Sequence, residues 1–288
     1  RVGREVFGYA SQLHLGWIAT ALAALAVLLL ALAVLRGFSV AIALVQFHGF
    51  RLQAHGRRLT VERGLLTRLR TSASRRRIQA WTLEESILHR LLRRRSLRVD
   101  IAVSEQQNEK RALREVAPIA TADICDALAQ QILPRSAQWP PPAWHALHPR
   151  AWLRLWLPGL LFSIIAAAAL SWRFGSWGLL ALVWIPWAGY AARQHASRAG
   201  YALDDVLIAI REGWWSRHWR FAEIDKLQAL QLRQSPLDRR TGMASVWLDT
   251  AGAGTLILPL RIRLLPETEA RALYETLSRI VAARPLRW

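Results

Sequence analysis

This 288-residue chain has almost no cysteine, very little lysine and few acidic residues. Its one cysteine, Cys125, excludes an intrachain disulfide and a cysteine-based metal cluster, and it fits a reducing compartment. The eight histidines fall into neither an HExxH motif nor another paired metal spacing, so no metal or cofactor is expected. Lys110 and Lys226 are the only lysines, so the basic charge is carried by arginine. With 39 basic against 20 acidic residues, the net charge is +19. Such a charge favours phospholipid head groups, nucleic acid or an acidic protein as partners. The plainer source is membrane topology, because cytoplasmic loops beside membrane spans collect arginine. No recognition-helix or stacking-aromatic pattern accompanies the charge, so nucleic acid is not expected.

Hydrophobic residues make up 53% of the chain and are gathered in blocks. Leu15 to Leu35 is twenty-one residues without a charge, about 30 Å as a helix and so the thickness of a hydrocarbon core. It is too long for a signal-peptide core, and Trp17 and Arg36 stand where interfacial anchors belong. This predicts a transmembrane helix over about 15–35, with Gly37–Phe47 as an interfacial connector. A second block predicts a transmembrane hairpin over 151–192, with arms Leu155–Trp172 and Trp177–Tyr190 reversing at Arg173–Ser176. Trp152, Trp156, Trp172, Trp177, Trp184 and Trp187 supply aromatic belts, and Pro158 and Pro186 are tolerable inside bilayer helices. Fourteen arginines between Arg51 and Arg98, against Glu62, Glu84 and Glu85, place that region in the cytoplasm. A hairpin returns the chain to the same side, so both polar regions are expected there, in a multi-pass protein of a bacterial inner membrane.

The polar regions repeat at a shift of 149 residues, Gly64 falling on Gly213. In that register Gly64-Leu65-Leu66-Thr67-Arg68 meets Gly213-Trp214-Trp215-Ser216-Arg217, and Ile78-Gln79-Ala80 meets Leu227-Gln228-Ala229. Ser86, Leu88 and Arg90 meet Ser235, Leu237 and Arg239, and Asp100 meets Asp249. Leu59–Gly64 and Leu207–Gly213 are short β-prone runs that end at a turn glycine. Ala244–Thr250 alternates, Ala251–Gly254 reads as a turn, and Thr255–Leu260 pairs back as a hairpin. Pro118 and Pro266 precede amphipathic helices over Thr121–Ile132 and Glu267–Val281. The organisation is thus 1–48 membrane segment and connector, 49–134 first copy, 135–150 Pro-rich linker, 151–192 hairpin and 193–288 second copy.

The run GFRL, a strand, RGLLTR, RRRIQ and then S-x-L-x-R resembles the YdbS/YdbT-like bacterial PH-domain family. The second copy is closer, with its glycine turn, K-x-Q, QSP-x-x-R and G-x-A stretches. The resemblance covers nearly the whole chain. It implies an α+β membrane protein: transmembrane helices plus two PH-like β-barrels of about seven strands each, each with a C-terminal capping helix. Longer members carry three copies, and this chain opens on Arg1, so an upstream copy is expected. The first copy departs where Arg93 takes the position of Gly242, which puts the local turn in question. The family has no established enzymatic activity.

No catalytic set emerges from the residues. Glu84-Glu85 and Asp204-Asp205 are adjacent carboxylates that point different ways. Gly252-Ala253-Gly254 is not followed by a helix and is no phosphate loop. Cys125 reads as structural, and a non-enzyme is expected. Arg75, Arg76, Arg77, Arg93, Arg94 and Arg95 are the candidate contacts to anionic lipid, each basic side chain at such a surface contributing about 1 kcal/mol. Gly64, Gln79, Arg90, Gly213, Gln228, Arg239 and Gly242 define the repeat. The expected function is a membrane-anchored scaffold at the cytoplasmic face, binding lipid or protein partners, with a role in envelope homeostasis or resistance to membrane-active peptides suggested by the resemblance. The competing reading is a component of a transport or channel assembly. Against it, Arg154 and Arg173 lie at the ends of the hairpin spans, and no acidic or histidine residue sits mid-membrane.

Overall fold

A computed structural model describes residues 17–56, 58–101, 115–134, 136–250 and 260–283. The expected turn at Ala251–Gly254 and the residues 255–259 after it lie outside that set. The chain divides into two compact units: one runs to Arg51 and takes in Glu62–Arg70, and the other holds Leu52–Val61 and everything from Thr71 onward.

The first unit is built on α1 (Trp17–Phe47), a single 31-residue helix. At 1.5 Å per residue it is about 46 Å long. Gly37–Phe47 is therefore not a separate connector, as its composition suggested, but the last third of one continuous helix. Arg36 does not break a helix, and the apolar residues beyond it carry the helical pattern on. Nearly every side chain along α1 is exposed.

In the second unit, α4 (Ala151–Phe174) ascends, the chain reverses at Gly175 (φ +62°), and a 3-10 run (Gly175–Val183) leads into α5 (Trp184–Arg198). Small residues let the arms approach closely. A Cβ on Gly159 would come within 2.9 Å of the Ala188 methyl, and one on Gly178 would strike the Ser171 backbone. Ser163 and Ala167 are buried in the same seam, and Trp156 donates its indole N–H to the Ile185 carbonyl at 3.0 Å. Together with α1, this hairpin makes two helical stretches long and apolar enough to cross a membrane, Ala19–Phe47 and Ala151–Arg198.

The two copies share one plan. The first has strands β1 (Arg51–His55), β2 (Arg58–Arg63) and β3 (Leu69–Ser74), then β4 (Ile78–Glu85), the short helix α2 (Ile87–Leu91), β5 (Arg94–Ile101), β6 (Glu115–Thr121) and helix α3 (Ala122–Ile132). After β7 (His145–Ala146) and the hairpin, the second has β8 (Gly200–Leu203), β9 (Leu207–Glu212) and β10 (Arg217–Glu223). It continues with β11 (Leu227–Arg233), α6 (Pro236–Thr241), β12 (Met243–Thr250), β13 (Leu260–Pro266) and α7 (Glu267–Ala282). Each copy is therefore two three-stranded groups and a terminal helix: six strands among the described residues, against about seven expected.

The copies are not separate barrels. β4 of the first pairs antiparallel with β10 of the second, from Arg217 opposite Glu85 to Phe221 opposite Trp81. This makes one seven-stranded sheet in the order β6-β5-β4-β10-β9-β8-β7, while β1-β2-β3 and β11-β12-β13 form two three-stranded sheets. Strands β8 to β10 are covered on both faces. Leu207, Ala209 and Phe221 point into one core with Trp81, Leu83, Leu97 and Cys125, while Ile208, Ile210 and Ala222 point into another with Val246, Ile262 and Leu277. Two-sided burial is why Leu207–Ile210 reads as an unbroken apolar run rather than an alternating one.

The Pro-rich segment is also packed rather than a spacer. Trp139 is buried and stacks on Phe221 at 4.2 Å. Its indole N–H donates to Asp126 Oδ1 at 2.9 Å, and its backbone N–H donates to Gln130 Oε1 at 2.7 Å. Downstream, His145–Ala146 adds β7 to the edge of β8.

Candidate membrane-facing site

In each copy the turn between the second and third strands carries two large apolar residues and stands beside an apolar helix. Gly64 (φ +112°) and Gly213 (φ +90°) make these turns possible. A Cβ at either would collide with the carbonyl oxygen three residues on, that of Thr67 or Ser216, and both φ values suit glycine alone. In the first unit the turn docks on the end of α1. The Gly64 N–H donates to the His48 carbonyl and the Leu65 N–H to that of Val45, both at 2.9 Å, satisfying helix-end carbonyls that lack an internal partner. Leu65 and Leu66 remain exposed.

In the second unit Trp214 and Trp215 join Trp187 and Tyr190 of α5 in a four-ring cluster. Centroid separations run from 5.4 Å (Trp214–Trp215) to 6.4 Å (Trp187–Trp215). Trp215 is 55% exposed, which is unusual for so large an apolar ring and leaves it facing outward beside the helix. Trp156, whose ring lies against Gly189, stands at the same level of the hairpin, with Trp152 stacked on it at 6.0 Å. At the far end Trp172 and Trp177 are also exposed. Trp152 and Trp172 are twenty residues apart on α4, about 30 Å of helix and so one hydrocarbon thickness.

Next to each turn is an arginine-lined cavity. In the first unit it measures about 460 Å³ and is bordered by His48, Arg51, Glu62, Arg63, Arg68 and Arg70. Arg70 pairs with Glu62 at 3.0 Å, and the Arg63 guanidinium lies over the Phe47 ring at 5.0 Å. In the second unit it measures about 320 Å³ and is bordered by Arg198, Arg211, Glu212, Arg217 and Trp219. The Arg211 guanidinium lies over the Trp144 ring at 4.8 Å. Burial, and then the charge of Arg198, lower the pKa of both Arg211 and Arg217 from the ordinary arginine value; Arg90 adds to the effect on Arg217, and Glu85 opposes it.

The arginines singled out in the sequence have diverse surroundings. Arg95 is engaged by the protein itself: it pairs with Asp126 at 3.1 Å, lies 3.8 Å from Glu85 and covers the Trp219 ring at 4.7 Å. Arg75 donates to the Gln131 carbonyl at 2.7 Å, and the Arg76 carbonyl accepts from Lys226 at 2.9 Å. The side chains of Arg76, Arg77, Arg93 and Arg94 are exposed. Arg93 adopts φ +50°, the left-handed conformation that Gly242 adopts at +68°, so the turn persists despite the substitution between copies. The shared serines are helix caps: Ser86 accepts from the His89 N–H, and Ser235 forms a capping box with Asp238. Gln79 is buried and donates to the Arg77 carbonyl at 3.4 Å, whereas Gln228 is exposed. Arg90 donates to the Trp214 carbonyl at 3.4 Å, while Arg239 is exposed on α6. Cys125 is fully buried, and burial, with Asp126 beside it, pushes its thiol up to about 11, so it is no nucleophile at neutral pH.

Sequence reasoning took Gly64 and Gly213 as repeat markers and passed over the residues beside them. The available signal was two adjacent large apolar residues at a turn closed by Arg68 or Arg217.

A family model described as the bacterial PH domain matches residues 12–132 and again 153–281. The first match begins just ahead of the Leu15–Leu35 apolar segment and the second inside the hairpin block, so each takes in the apolar helix ahead of its strands. No curated protein and no solved structure matches the chain.

Proposed function

Since the chain belongs to the bacterial PH domain family, we propose that it is a membrane-anchored, non-enzymatic interaction module whose tandem copies sit at the cytoplasmic face of a bacterial inner membrane. The observation that carries this reading is the pair of aromatic belts on the hairpin, separated by one hydrocarbon thickness, with the turn Trp214–Trp215 lying in the lower belt. Tryptophan and tyrosine favour that zone because one end of the ring system is apolar and the other can stay hydrated. The Leu65–Leu66 turn repeats the arrangement at the end of α1. A helix of α1's length crosses a bilayer with tilt or with its end projecting. The arginine-rich strands after each apolar segment support that orientation. Within the family, the motifs favour the YdbS/YdbT-like branch, and a role in envelope homeostasis or resistance to membrane-active peptides goes with that assignment.

Cysteine labelling tests the topology, and the buried Cys125 makes the natural chain a quiet background. Asp205→Cys, in the exposed loop between β8 and β9, should react with a membrane-impermeant maleimide in inverted vesicles and not in intact spheroplasts. Labelling from outside intact spheroplasts, or recovery of the chain in the soluble fraction, would refute the reading.

A further inference from the structure

We propose that the cavity between Arg198, Arg211 and Arg217 holds the phosphate of an anionic lipid head group, a role that rests on the membrane-facing reading above. Three guanidinium groups converge there from the end of α5, from β9 and from β10. Like charges gathered in a half-buried space repel one another unless an anion joins them. The acids nearby leave room for one. Glu85 takes a single Nη1–H of Arg217 at 3.4 Å, and Glu212 borders the cavity while also interacting with Arg263. The Nε–H groups of both Arg211 and Arg217 are buried and meet no acceptor among the described residues. Planar guanidinium donors match phosphate oxygens, and charge-assisted bonds of this kind are the strong ones.

Position narrows the ligand to a lipid. The cavity adjoins the Gly213 turn, whose two tryptophans lie in the lower aromatic belt, and phosphates concentrate at that depth of a bilayer. The repeat supplies independent support. The first unit has a cavity at the same register, with Arg68 in the place of Arg217, although the acid and base before the turn are exchanged: Glu62-Arg63 in one copy, Arg211-Glu212 in the other. A basic cavity kept in place while its residues are permuted points to charge as the retained property. Arg75–Arg77 and Arg93–Arg95 do not line this cavity.

The test uses the full chain in a neutral detergent, titrated with short-chain phosphatidylglycerol, short-chain phosphatidylcholine or inorganic phosphate, and read by tryptophan fluorescence, since Trp219 lines the cavity. Phosphatidylglycerol should bind more tightly than phosphatidylcholine. Arg198→Gln and Arg211→Gln should each weaken it about five-fold, the weight of one basic side chain at an anionic surface. Arg240→Gln, an exposed arginine on α6, should leave it unchanged, and circular dichroism should show each variant folded. Equal binding of the two lipids, or full binding by both cavity variants, overturns the proposal. Inorganic phosphate that binds as tightly as the lipid assigns the cavity to a free anion instead. If Asp205→Cys labels correctly while the lipids do not discriminate, only the cavity assignment fails. If the labelling is reversed, the membrane-facing reading falls as well.

Discussion

At the residue scale, the two copies test each other. Gly242 caps α6 in the left-handed region, and Arg93, just past the Leu92 cap of α2, has the same positive φ with a side chain that opposes it. A non-glycine residue there pays about 1–2 kcal/mol of steric cost. Arg93→Gly should therefore stabilise the chain by about 1 kcal/mol, part of the gain being lost to glycine's greater freedom when unfolded. A denaturant midpoint of the detergent-solubilised chain measures this, and an unchanged or lowered midpoint would mean that the Arg93 side chain stabilises the fold. The glycine in the second copy was readable as a turn residue. The conformation of Arg93 was not, because arginine carries no turn signal and only the repeat register hinted at it.

At the element scale, the β4–β10 pairing joins the copies. A line of charges crosses it: Asp126 on α3, Arg95 on β5, Glu85 on β4 and Arg217 on β10. Beside that line, the buried Arg220 donates to Asp100 at 2.6 Å. Burial lowers the Arg220 pKa and Asp100 opposes the shift, so the carboxylate offsets part of the cost of holding this cation inside the sheet. Asp100→Ala should destabilise the chain by roughly 3 kcal/mol, because it leaves a buried charge without its partner. Adding Arg220→Met should recover most of that loss, since it removes the stranded charge and keeps the volume. Thermal unfolding of the two variants checks the pair, and a double variant no more stable than the single one would contradict it. The strands at Leu59–Gly64, Leu207–Gly213 and Ala244–Thr250 were legible from β-prone runs, alternation and turn glycines. Their pairing across copies was not, since any two exposed edges satisfy the same backbone hydrogen bonds.

At the scale of the whole molecule, the shared sheet makes the copies interdependent. Residues 49–134 alone would lose Phe221, Leu207 and Ala209 from their core, together with Trp139 from the Pro-rich segment, and would expose the long edge of β4. Burying a side chain of phenylalanine size is worth about 1.5–3 kcal/mol, and an open apolar edge invites aggregation. The isolated first copy should therefore aggregate or show no cooperative unfolding, whereas residues 49–283 with the hairpin in detergent should unfold in one transition. A soluble, cooperatively folding 49–134 fragment would show that the shared core is dispensable.

The sequence by itself determined the local features of this protein: that its apolar blocks form helices, that Gly64 and Gly213 end strands at turns, and that one unit occurs twice. Those features depend on hydrophobic period, glycine's freedom and neighbouring side chains, all of which act within a few residues. Tertiary structure decided that the copies share one sheet and a core, and that arginines 198, 211 and 217 meet beside the tryptophan turn. Each of these depends on which distant surfaces bury one another. That choice is made by complementarity of whole faces and edges, which no window along the chain contains.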